Sequence, residues 1–403
     1  MADTLTADIP THVPRERVVD VNIFDLPGGR EDPHEAWLAL RRFGKLIWTP
    51  QNGGHWIVTD GAMIESVYRR AEIFSNAEVG LPPGKFLLPL LPIQLDGADH
   101  ARFRALIEPA FRPTAVARRG VEARALAASL AAELAPRGAC EFVSEFAMIM
   151  PLSIFLSIVD LPVEDRVTLH GMTRRASRSP TQELRGAAFM EIVAYLESWI
   201  ERRRVDPGPD LLSGIIHARI DDEPLTHQQV LGTAILLLFA GLDTVAAMMA
   251  FVIRHLATHP DDRRWIIANP SKISFAAEEL MRRHGVANNV RTVVRPVELD
   301  GVALRPGDII NVPNSLHGLD DSQFERSAEV DFERPLTNTG TFGWGPHRCA
   351  GANLARLEMR IMLEEWLRQI PEFEIDPEQE VLLQTGTSNS VLQLPLRWVP
   401  RPA

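Results

Sequence analysis

The sequence is poor in several features that would direct it to other protein classes. Its 403 residues include only two cysteines, Cys140 and Cys349, which are too few for a disulfide framework. The net charge of −11 argues against nucleic acid or an anionic membrane as partner, because either favours a basic face. The longest apolar run, AILLLFAGL at 234–242, is too short to span a bilayer, and the N-terminus lacks the apolar core of a signal peptide. We therefore expect a cytoplasmic protein without nucleic-acid or membrane partners.

The chain also shows no repeat period, no low-complexity tract and no Gly/Ser linker that would divide it. Short strand-like pieces, LIWTP and HWIVTD, are mixed with helix in the first hundred residues. From about Gly97 onward apolar residues recur at helical spacing, and short strands return in VVRPVELDGVALRPGDIINV, VLLQ and QLPLRWV. These patterns predict one mainly α domain over 1–403, strand-rich at about 20–95 and helical at about 96–403, with small sheets at its flank.

Residues 81–95, LPPGKFLLPLLPIQL, form a predicted loop that is unusually apolar. Leucines in a loop are expected to be covered by other apolar groups.

Cys349 lies in the stretch FGWGPHRCAG, where its neighbours suit a metal-binding thiolate. Gly343 and Gly345 permit a tight turn with inward amides, and Pro346 stiffens it. The helix predicted after the cysteine has an N-terminal partial positive charge that favours an anionic sulfur. Phe342 is expected to cover the sulfur, and His347 can donate to a carboxylate at a cofactor edge. A buried structural thiol would explain a bare CxG but not this whole set.

FGWGPHRCAG resembles the haem-binding loop of the cytochrome P-450 superfamily, whose pattern matches Phe342, Gly345, His347, Cys349 and Gly351. The resemblance implies the P-450 fold, with a large helical domain and small flanking sheets. It also implies haem b (iron protoporphyrin IX) as cofactor, with Cys349 as the axial iron ligand.

The stretch AGLDT at 240–244 resembles the long central helix of that superfamily. A threonine within a helix can return its hydroxyl to a carbonyl one turn back and open the helix locally. Asp243 and Thr244 are then expected to relay protons, a task that needs a carboxylate near a hydroxyl or water. Taken alone, the pair is equally compatible with a buried polar contact without chemistry.

Two further groups of charged residues follow from the same resemblance. Glu279 and Arg282, three apart on one predicted helix, match a structural clamp completed by Arg334. His100 and Arg104, four apart, present two donors from one helix face and suit haem propionates. By resemblance Arg291 and His347 join them, although each residue singly could be a solvated surface charge.

The sequence is most similar to the bacterial camphor-hydroxylating group of the superfamily and its terpenoid-oxidising relatives. Leu88 stands where those members have a tyrosine that donates to the substrate carbonyl, and Ala240 stands where they have glycine. Leucine cannot donate a hydrogen bond, so the first change favours a pocket that binds by shape and apolar contact, and the added methyl of Ala240 is expected to narrow the space over the haem. Its expected members are Phe86, Leu88, Leu91, Leu236, Phe239, Ala240 and Ala287, with Asn289, Thr387 or Ser388 to orient a polar group.

The resemblance implies a monomeric monooxygenase that uses O2 to hydroxylate a small apolar substrate, predicted to be a monoterpenoid or norisoprenoid. No GxGxxG fingerprint is present, so electrons are expected from a [2Fe-2S] ferredoxin and an NADH-dependent ferredoxin reductase. Arg102, Arg348, Arg356 and Arg360 are candidate docking cations, or else solvated helix arginines. The alternatives are a haem-thiolate peroxygenase and a non-catalytic haem sensor or carrier, against both of which the acid–alcohol pair counts.

Overall fold

A computed structural model describes residues 9–84, 88–178 and 181–400 of the chain. Helices dominate these residues, and the strands form small sheets. The helices are α1 (Pro33–Leu38), α2 (Gly61–Arg69), α3 (Gly97–Phe111), α4 (Pro113–Leu134), α5 (Ile149–Ile158), α6 (Arg166–Arg178), α7 (Gln182–Val205), α8 (Leu211–Ile216), α9 (His227–Thr258), α10 (Pro260–Ala268), α11 (Ile273–Arg283), α12 (Asn314–Gly318) and α13 (Ala352–Gln369).

The strands form small sheets beside the helices. They are β1 (Leu46–Thr49), β2 (His55–Val58), β3 (Phe74–Ser75), β4 (Ala139–Glu141), β5 (Arg219–Ile220), β6 (Glu223–Pro224), β7 (Asn288–Val293), β8 (Val297–Leu299), β9 (Val302–Leu304), β10 (Ile309–Pro313), β11 (Glu374–Ile375), β12 (Leu382–Gln384), β13 (Ser390–Gln393) and β14 (Pro395–Arg397). The prediction of a mainly helical fold with small flanking sheets is confirmed.

The largest sheet of the described residues has the strand order β1-β2-β10-β7-β3. Strand β10 runs parallel to β2 and antiparallel to β7, and β3 pairs with β7 at the edge, where Ser75 lies opposite Thr292. This pairing brings the end of β3 beside Arg291, although the two are far apart in sequence. The sheet therefore places residues from the N-terminal and C-terminal halves of the chain next to each other.

Helix α9 is the longest helix described, and a capping box explains its start. The Thr226 hydroxyl accepts from Gln229 N, while the Gln229 side chain accepts from Thr226 N. Its most apolar window has a mean hydropathy of 2.2, and 59% of that window is buried inside the protein. By length and composition the helix could cross a membrane, but the central helix of a globular core has the same properties.

In the described part of the chain, apolar side chains form three clusters, of which one surrounds the N-terminal half of α9. It combines α5, α7, α8 and α9 with Leu90 of the 81–95 segment and with Ala350 beside the cysteine. The predicted cover over the leucines of this segment is thus provided by the helices. This cluster joins the long helix, the loop and the cysteine region.

Candidate functional site

The cysteine loop is a set of tight turns held by its own backbone. Cys349 N donates to Phe342 O at 3.0 Å, and Arg348 N donates to Gly345 O at 3.1 Å. Gly345 has a φ of +68°, and a Cβ at this position would lie 2.6 Å from the carbonyl oxygen of Tyr68. Only glycine fits there, because both the left-handed backbone and the contact with the end of α2 exclude a side chain.

The Cys349 sulfur is deep in the protein but borders open space. Burial raises the pKa of the Cys349 thiol, whereas the Gly351 amide and Arg104, Arg348 and Arg356 act in the opposite direction. The side chain nevertheless has exposed surface. A buried group with accessible surface lines an internal cavity. The expectation that the helix terminus by itself favours a thiolate is outweighed by desolvation, so the anion needs a bound cation.

A cluster of basic side chains lies at one edge of this loop. The rings of His100 and His347 are 4.0 Å apart, and His347 Nε2 is 3.1 Å from Asp96 Oδ1. The other nitrogen of His347, Nδ1, is buried and has no partner among the described residues. Burial lowers the pKa of His100 to about 4, helped by the nearby charges of His347 and Arg104. The cluster has more donors than acceptors, which is the condition for binding a carboxylate.

Two arginines complete this cluster. Arg104 donates through Nη2 to Arg348 O at 2.7 Å and pairs with Glu108 at 3.0 Å. Arg291 is buried, with its guanidinium carbon 4.7 Å from the centre of the Tyr68 ring. The guanidinium of Arg291 makes one hydrogen bond among the described residues, to Val290 O, and burial lowers its pKa. A buried guanidinium with spare donors is costly unless an anion binds it.

On α9, Asp243 and Thr244 lie close to Ala240, which is not covered by neighbouring side chains. Thr244 Oγ1 donates to Ala240 O at 3.2 Å, one turn back, and α9 continues through this position. Ala240 is exposed and Asp243 is half-buried, although Leu237 and Leu238 just before them are buried. Exposure in the middle of a core helix places Ala240 at the wall of an internal cavity.

The clamp residues form a closed buried network. Arg282 Nε and Nη2 bond the two Glu279 oxygens at 2.7 and 2.8 Å, and Arg334 Nε bonds Glu279 Oε1 at 3.1 Å. The remaining donors of both arginines reach backbone carbonyls, including Ser327 O and Glu329 O. The trio lies together as the resemblance implies, and its charges are satisfied internally.

The predicted pocket residues divide into two groups in space. Leu88, Leu236 and Phe239 are half-buried and pack against the cluster around α9, whereas Leu91 is buried. Ala287 and Ser388 form an isolated β-bridge, and Thr387 O accepts from Asn288 N at 2.9 Å. Phe86 lies outside the described residues.

Asn289, another predicted pocket residue, is tied to the basic cluster. Its side-chain amide donates to Tyr68 Oη at 2.8 Å, directly beneath the Arg291 guanidinium. The side-chain NH2 group of Asn289 is therefore hydrogen-bonded at the basic cluster.

The four predicted docking arginines differ in how their charges are used. Three have carboxylate partners: Arg102 with Asp99 and Asp221, Arg356 with Glu278, and Arg360 with Glu364. In the described ranges no carboxylate lies within ion-pair distance of Arg348, which is exposed. The basic patch is therefore smaller than the sequence suggested, since side-chain pairing neutralises most of it.

A cleft of about 340 Å³ lies between α11 and the cysteine loop, lined by residues including Phe275, Phe342, Trp344 and Arg348. No α9 residue lines it. It is thus separate from the internal space bordered by Ala240.

Comparison with known proteins identifies the family. A sequence model described as Cytochrome P450 matches residues 275–398, the part that contains the clamp and the cysteine loop. The probable cytochrome P450 127A1 of Sinorhizobium fredii (strain NBRC 101917 / NGR234) is 31% identical over 412 residues, covering 98% of this chain and 97% of that protein. The chain belongs to the cytochrome P450 family, and it is accordingly a monooxygenase that binds haem b.

Two solved structures resemble the whole fold. The crystal structure of cytochrome P450 CYP101C1 has a TM-score of 0.90 and 39% identity, and that of CYP101J2 has a TM-score of 0.88 and 36% identity. Each match covers 97% of this chain and 100% of the other. The predicted membership of the superfamily and of its bacterial camphor-type group is confirmed.

The residues present fit the haem that the family binds. Cys349 and Ala240 border internal space from the loop and from α9, and apolar side chains lie between those elements. At the edge, the unpartnered His347 Nδ1 and the buried Arg291 are matched to carboxylates such as propionates. The site thus has a thiol for the iron and donors for the propionates.

Sequence reasoning missed two residues of this site. Asp96, the N-terminal cap position of α3, pairs with His347 and also accepts from Ser75 Oγ. Tyr68 supports Arg291 and donates to Val312 O at 3.2 Å. Neither lies in a motif with its partner, because the partners come from distant parts of the chain. Only the cap position of Asp96 before α3 offered a local signal.

Proposed function

We propose that this monooxygenase hydroxylates a small apolar substrate of monoterpenoid or norisoprenoid size. The supporting observation is the exposed Ala240 in the middle of a buried helix, facing internal space with half-buried Leu236 and Phe239 nearby. Apolar walls select by shape and provide few directional bonds. The protein is proposed to act as a cytoplasmic monomer.

Cys349 is the proposed iron ligand, covered on one side by Phe342. His100, Arg104, Arg291 and His347 are the proposed partners of the propionates. The haem, when bound, supplies the activation of O2 and the one-electron chemistry. The chain supplies the dry cavity, the thiolate and the directional donors.

Asp243 and Thr244 are proposed to carry protons to the reaction site. The Thr244 hydroxyl donates to Ala240 O, so its oxygen is fixed in orientation and can accept a hydrogen bond from a water molecule that delivers a proton to the reaction site. Asp243, half-buried beside it, can exchange that proton with solvent.

The substrate class is tested by optical titration of the ferric protein. Camphor, cineole, ionones, fatty acids and simple aromatics are added in turn, and the low-spin to high-spin shift of the haem band is recorded. A strong shift with the cyclic terpenoids or ionones supports the proposal. A shift confined to fatty acids would refute it.

The relay is tested by Thr244→Ala. We expect NADH consumption to continue while product per NADH falls roughly tenfold or more, with hydrogen peroxide released instead. Thr233→Ala is the matched control, because Thr233 lies in the same helix and also bonds a carbonyl one turn back, Gln229 O at 2.8 Å. Undiminished product from Thr244→Ala would refute the relay, and activity with peroxide alone in both proteins would favour a peroxygenase.

Electrons are proposed to come from a [2Fe-2S] ferredoxin and its NADH-dependent reductase, docking near Arg348. Arg112 is also exposed and follows Phe111, whose carbonyl accepts from Asn353 close to the cysteine loop. Two cations on this side suit an acidic partner.

Charge reversal at Arg348 is expected to slow reduction by ferredoxin and leave the substrate titration unchanged. Arg295→Glu, an exposed site in the segment between β7 and β8, applies the same change of net charge elsewhere. Equal slowing by both variants would show a general charge effect and remove the docking proposal.

A further inference from the structure

The backbone of the 88–95 loop lies directly on α9 at Gly232. A Cβ built on Gly232 would overlap the carbonyl oxygen of Pro89 and lie 3.3 Å from its carbonyl carbon. The side chain of Leu91 would be 3.8 Å away. The obstacle is backbone, which cannot move aside as the end of a flexible side chain can.

Glycine in the interior of a helix is unfavourable, because it loses more conformational freedom than alanine. At Gly232 the close approach explains its presence. Leu91 N donates to Gly232 O at 3.4 Å, so the loop is also hydrogen-bonded to the helix at the place where it touches it. Contact and hydrogen bond fix the height of the loop above α9.

A second anchor lies on the other side of the segment. Gln94 Oε1 accepts from Leu90 N at 2.6 Å, and Gln94 Nε2 donates to Ala77 O at 3.0 Å. Leu90 is buried in the cluster around α9. The segment is thus held between Gln94 and Gly232.

The contact is close to the cavity but does not belong to its inner wall. Gly232 and Ala240 are eight residues apart on one helix, which corresponds to about 12 Å along its axis. Leu236 lies midway and, like Leu88, is half-buried against the same cluster. The loop resting on Gly232 therefore covers the end of the space that Ala240 borders.

We propose that Gly232 is a positioning residue for the substrate site: it sets how closely the 88–95 loop covers the cavity and so which ligands are held. It acts through the loop and touches neither haem nor substrate. The inference rests on the monooxygenase activity of the family, not on the proposed terpenoid class.

The test uses Gly232→Ala in the haem-loaded protein, with two azole probes of different size. Imidazole and 4-phenylimidazole both bind haem iron and shift its optical band, but only the larger probe reaches the cover. We expect 4-phenylimidazole to bind about fivefold more weakly or worse and imidazole to be unchanged within about twofold.

Hydrogen exchange gives an independent readout of the loop itself. Exchange in the peptide containing Leu91 should become about tenfold faster or more in Gly232→Ala, since the added methyl pushes the loop away and lengthens the hydrogen bond from the Leu91 amide to the carbonyl at position 232. Gly214→Ala in α8 is the matched control, because a Cβ at that glycine meets nothing within 4 Å. It should change neither readout.

Unchanged exchange together with unchanged azole affinities would overturn the proposal. Equal weakening of both azoles would also overturn it, since that would place the effect at the haem. If Gly232→Ala does not accumulate as folded protein, Gln94→Ala releases the same loop from its other anchor without touching α9. Faster exchange at Leu91 with selectively weaker 4-phenylimidazole binding is then expected, and the absence of both would refute the inference.

The substrate class can fail separately from this inference. If no terpenoid or ionone shifts the spin state of the unmodified protein, the proposed class is wrong, whereas the azole ratio and the exchange rate still decide the role of Gly232.

Discussion

Two of the buried charged clusters that the structure describes are built differently. In the clamp, Glu279 neutralises Arg282 and Arg334, and backbone carbonyls accept the remaining donors. In the basic cluster that we propose holds the propionates, Arg291 and His347 are as deeply placed, but Asp96 is the carboxylate they face, and His347 Nδ1 has no partner among the described residues. One cluster is complete within the chain, and the other has donors left over for a ligand.

This difference separates a structural role from a binding role by chemistry alone. A buried ion cluster that satisfies itself stabilises one arrangement of the chain, whereas a cluster with excess donors lowers stability until an anion arrives. The two clusters should therefore respond in opposite ways when a charge is removed.

The largest effect is expected from breaking the clamp. Glu279→Ala would leave two buried guanidinium groups without their carboxylate, which should reduce the free energy of unfolding by about 3–5 kcal/mol. Glu278 is half-buried on the same helix as Glu279 and pairs with Arg356 of α13. Glu278→Ala should cost only about 1 kcal/mol. Urea unfolding of both variants measures this, and equal losses would contradict the distinction.

A third buried group, His284, has no counter-ion among the residues that the structure describes, and it sharpens the comparison through pH. Both of its ring nitrogens are buried without hydrogen-bond partners in this part of the chain, and its ring lies 5.4 Å from His34 and 5.0 Å from His255. Burial, followed by the charges of His255 and Arg283, holds its pKa well below the usual value. Around it, Asp32 pairs with Arg254 and Asp262 with His255, so neither carboxylate is free to stabilise an imidazolium.

Because the folded-state pKa of His284 is depressed, the unfolded chain binds the proton first as the pH falls below about 6.5. Stability contributed by neutral His284 is present above that pH and is lost as the pH falls toward the folded pKa, by up to about 1.4 kcal/mol per pH unit. His284→Phe, which keeps a ring beside Phe251, should make the unfolding free energy less dependent on pH between about 7 and 5. An unaltered slope would show that His284 binds its proton over the same pH range in the folded and the unfolded protein, so that its folded-state pKa is not depressed.

At the haem edge, Arg291→Leu should spare the haem-free protein and weaken the haem complex. Since burial already makes this charge costly, the apoprotein is expected to be as stable as the unmodified one or more so. Loss of one propionate partner should weaken haem binding about tenfold, or about 1.4 kcal/mol. Transfer of haem to an acceptor protein measures the affinity, and Arg291→Lys should retain part of it. A large loss of apoprotein stability would place Arg291 with the clamp.

The smallest effect is expected from Tyr68→Phe, which keeps the ring beneath Arg291. It removes the hydroxyl that donates to Val312 O and accepts from Asn289. The loss of these hydrogen bonds should cost about 1 kcal/mol of stability and leave haem affinity nearly unchanged. A strong drop in haem affinity would show that the hydroxyl, and not only the ring, orients the guanidinium.

Local patterns in the sequence were sufficient for several of the helices and strands and for the cysteine loop. Helical spacing of apolar residues predicted α4, α7 and α13, and the strand-like LIWTP and HWIVTD are β1 and β2. The cysteine loop was recognised because its glycines and cysteine are close in sequence, so spacing carries the geometry.

Contacts between distant segments could not be read in this way. Asp96 pairs with His347, and the Pro89 carbonyl contacts Gly232, because of how separate elements pack. For the same reason Arg356 was counted as a docking cation, although Glu278 from a separate helix neutralises it. Helix periodicity shows which face is polar but not which charges meet across elements.

The close approach of Gly345 to the Tyr68 carbonyl has a consequence for when haem can bind during synthesis of the chain. The cysteine loop rests on the end of α2, and nearby His347 pairs with a residue 251 positions earlier. Such contacts of high sequence separation close late in folding, because the entropy of a long loop must be overcome before they form. We therefore expect nascent chains that stop before the cysteine loop to bind no haem, and cofactor loading to begin only after this loop has left the ribosome.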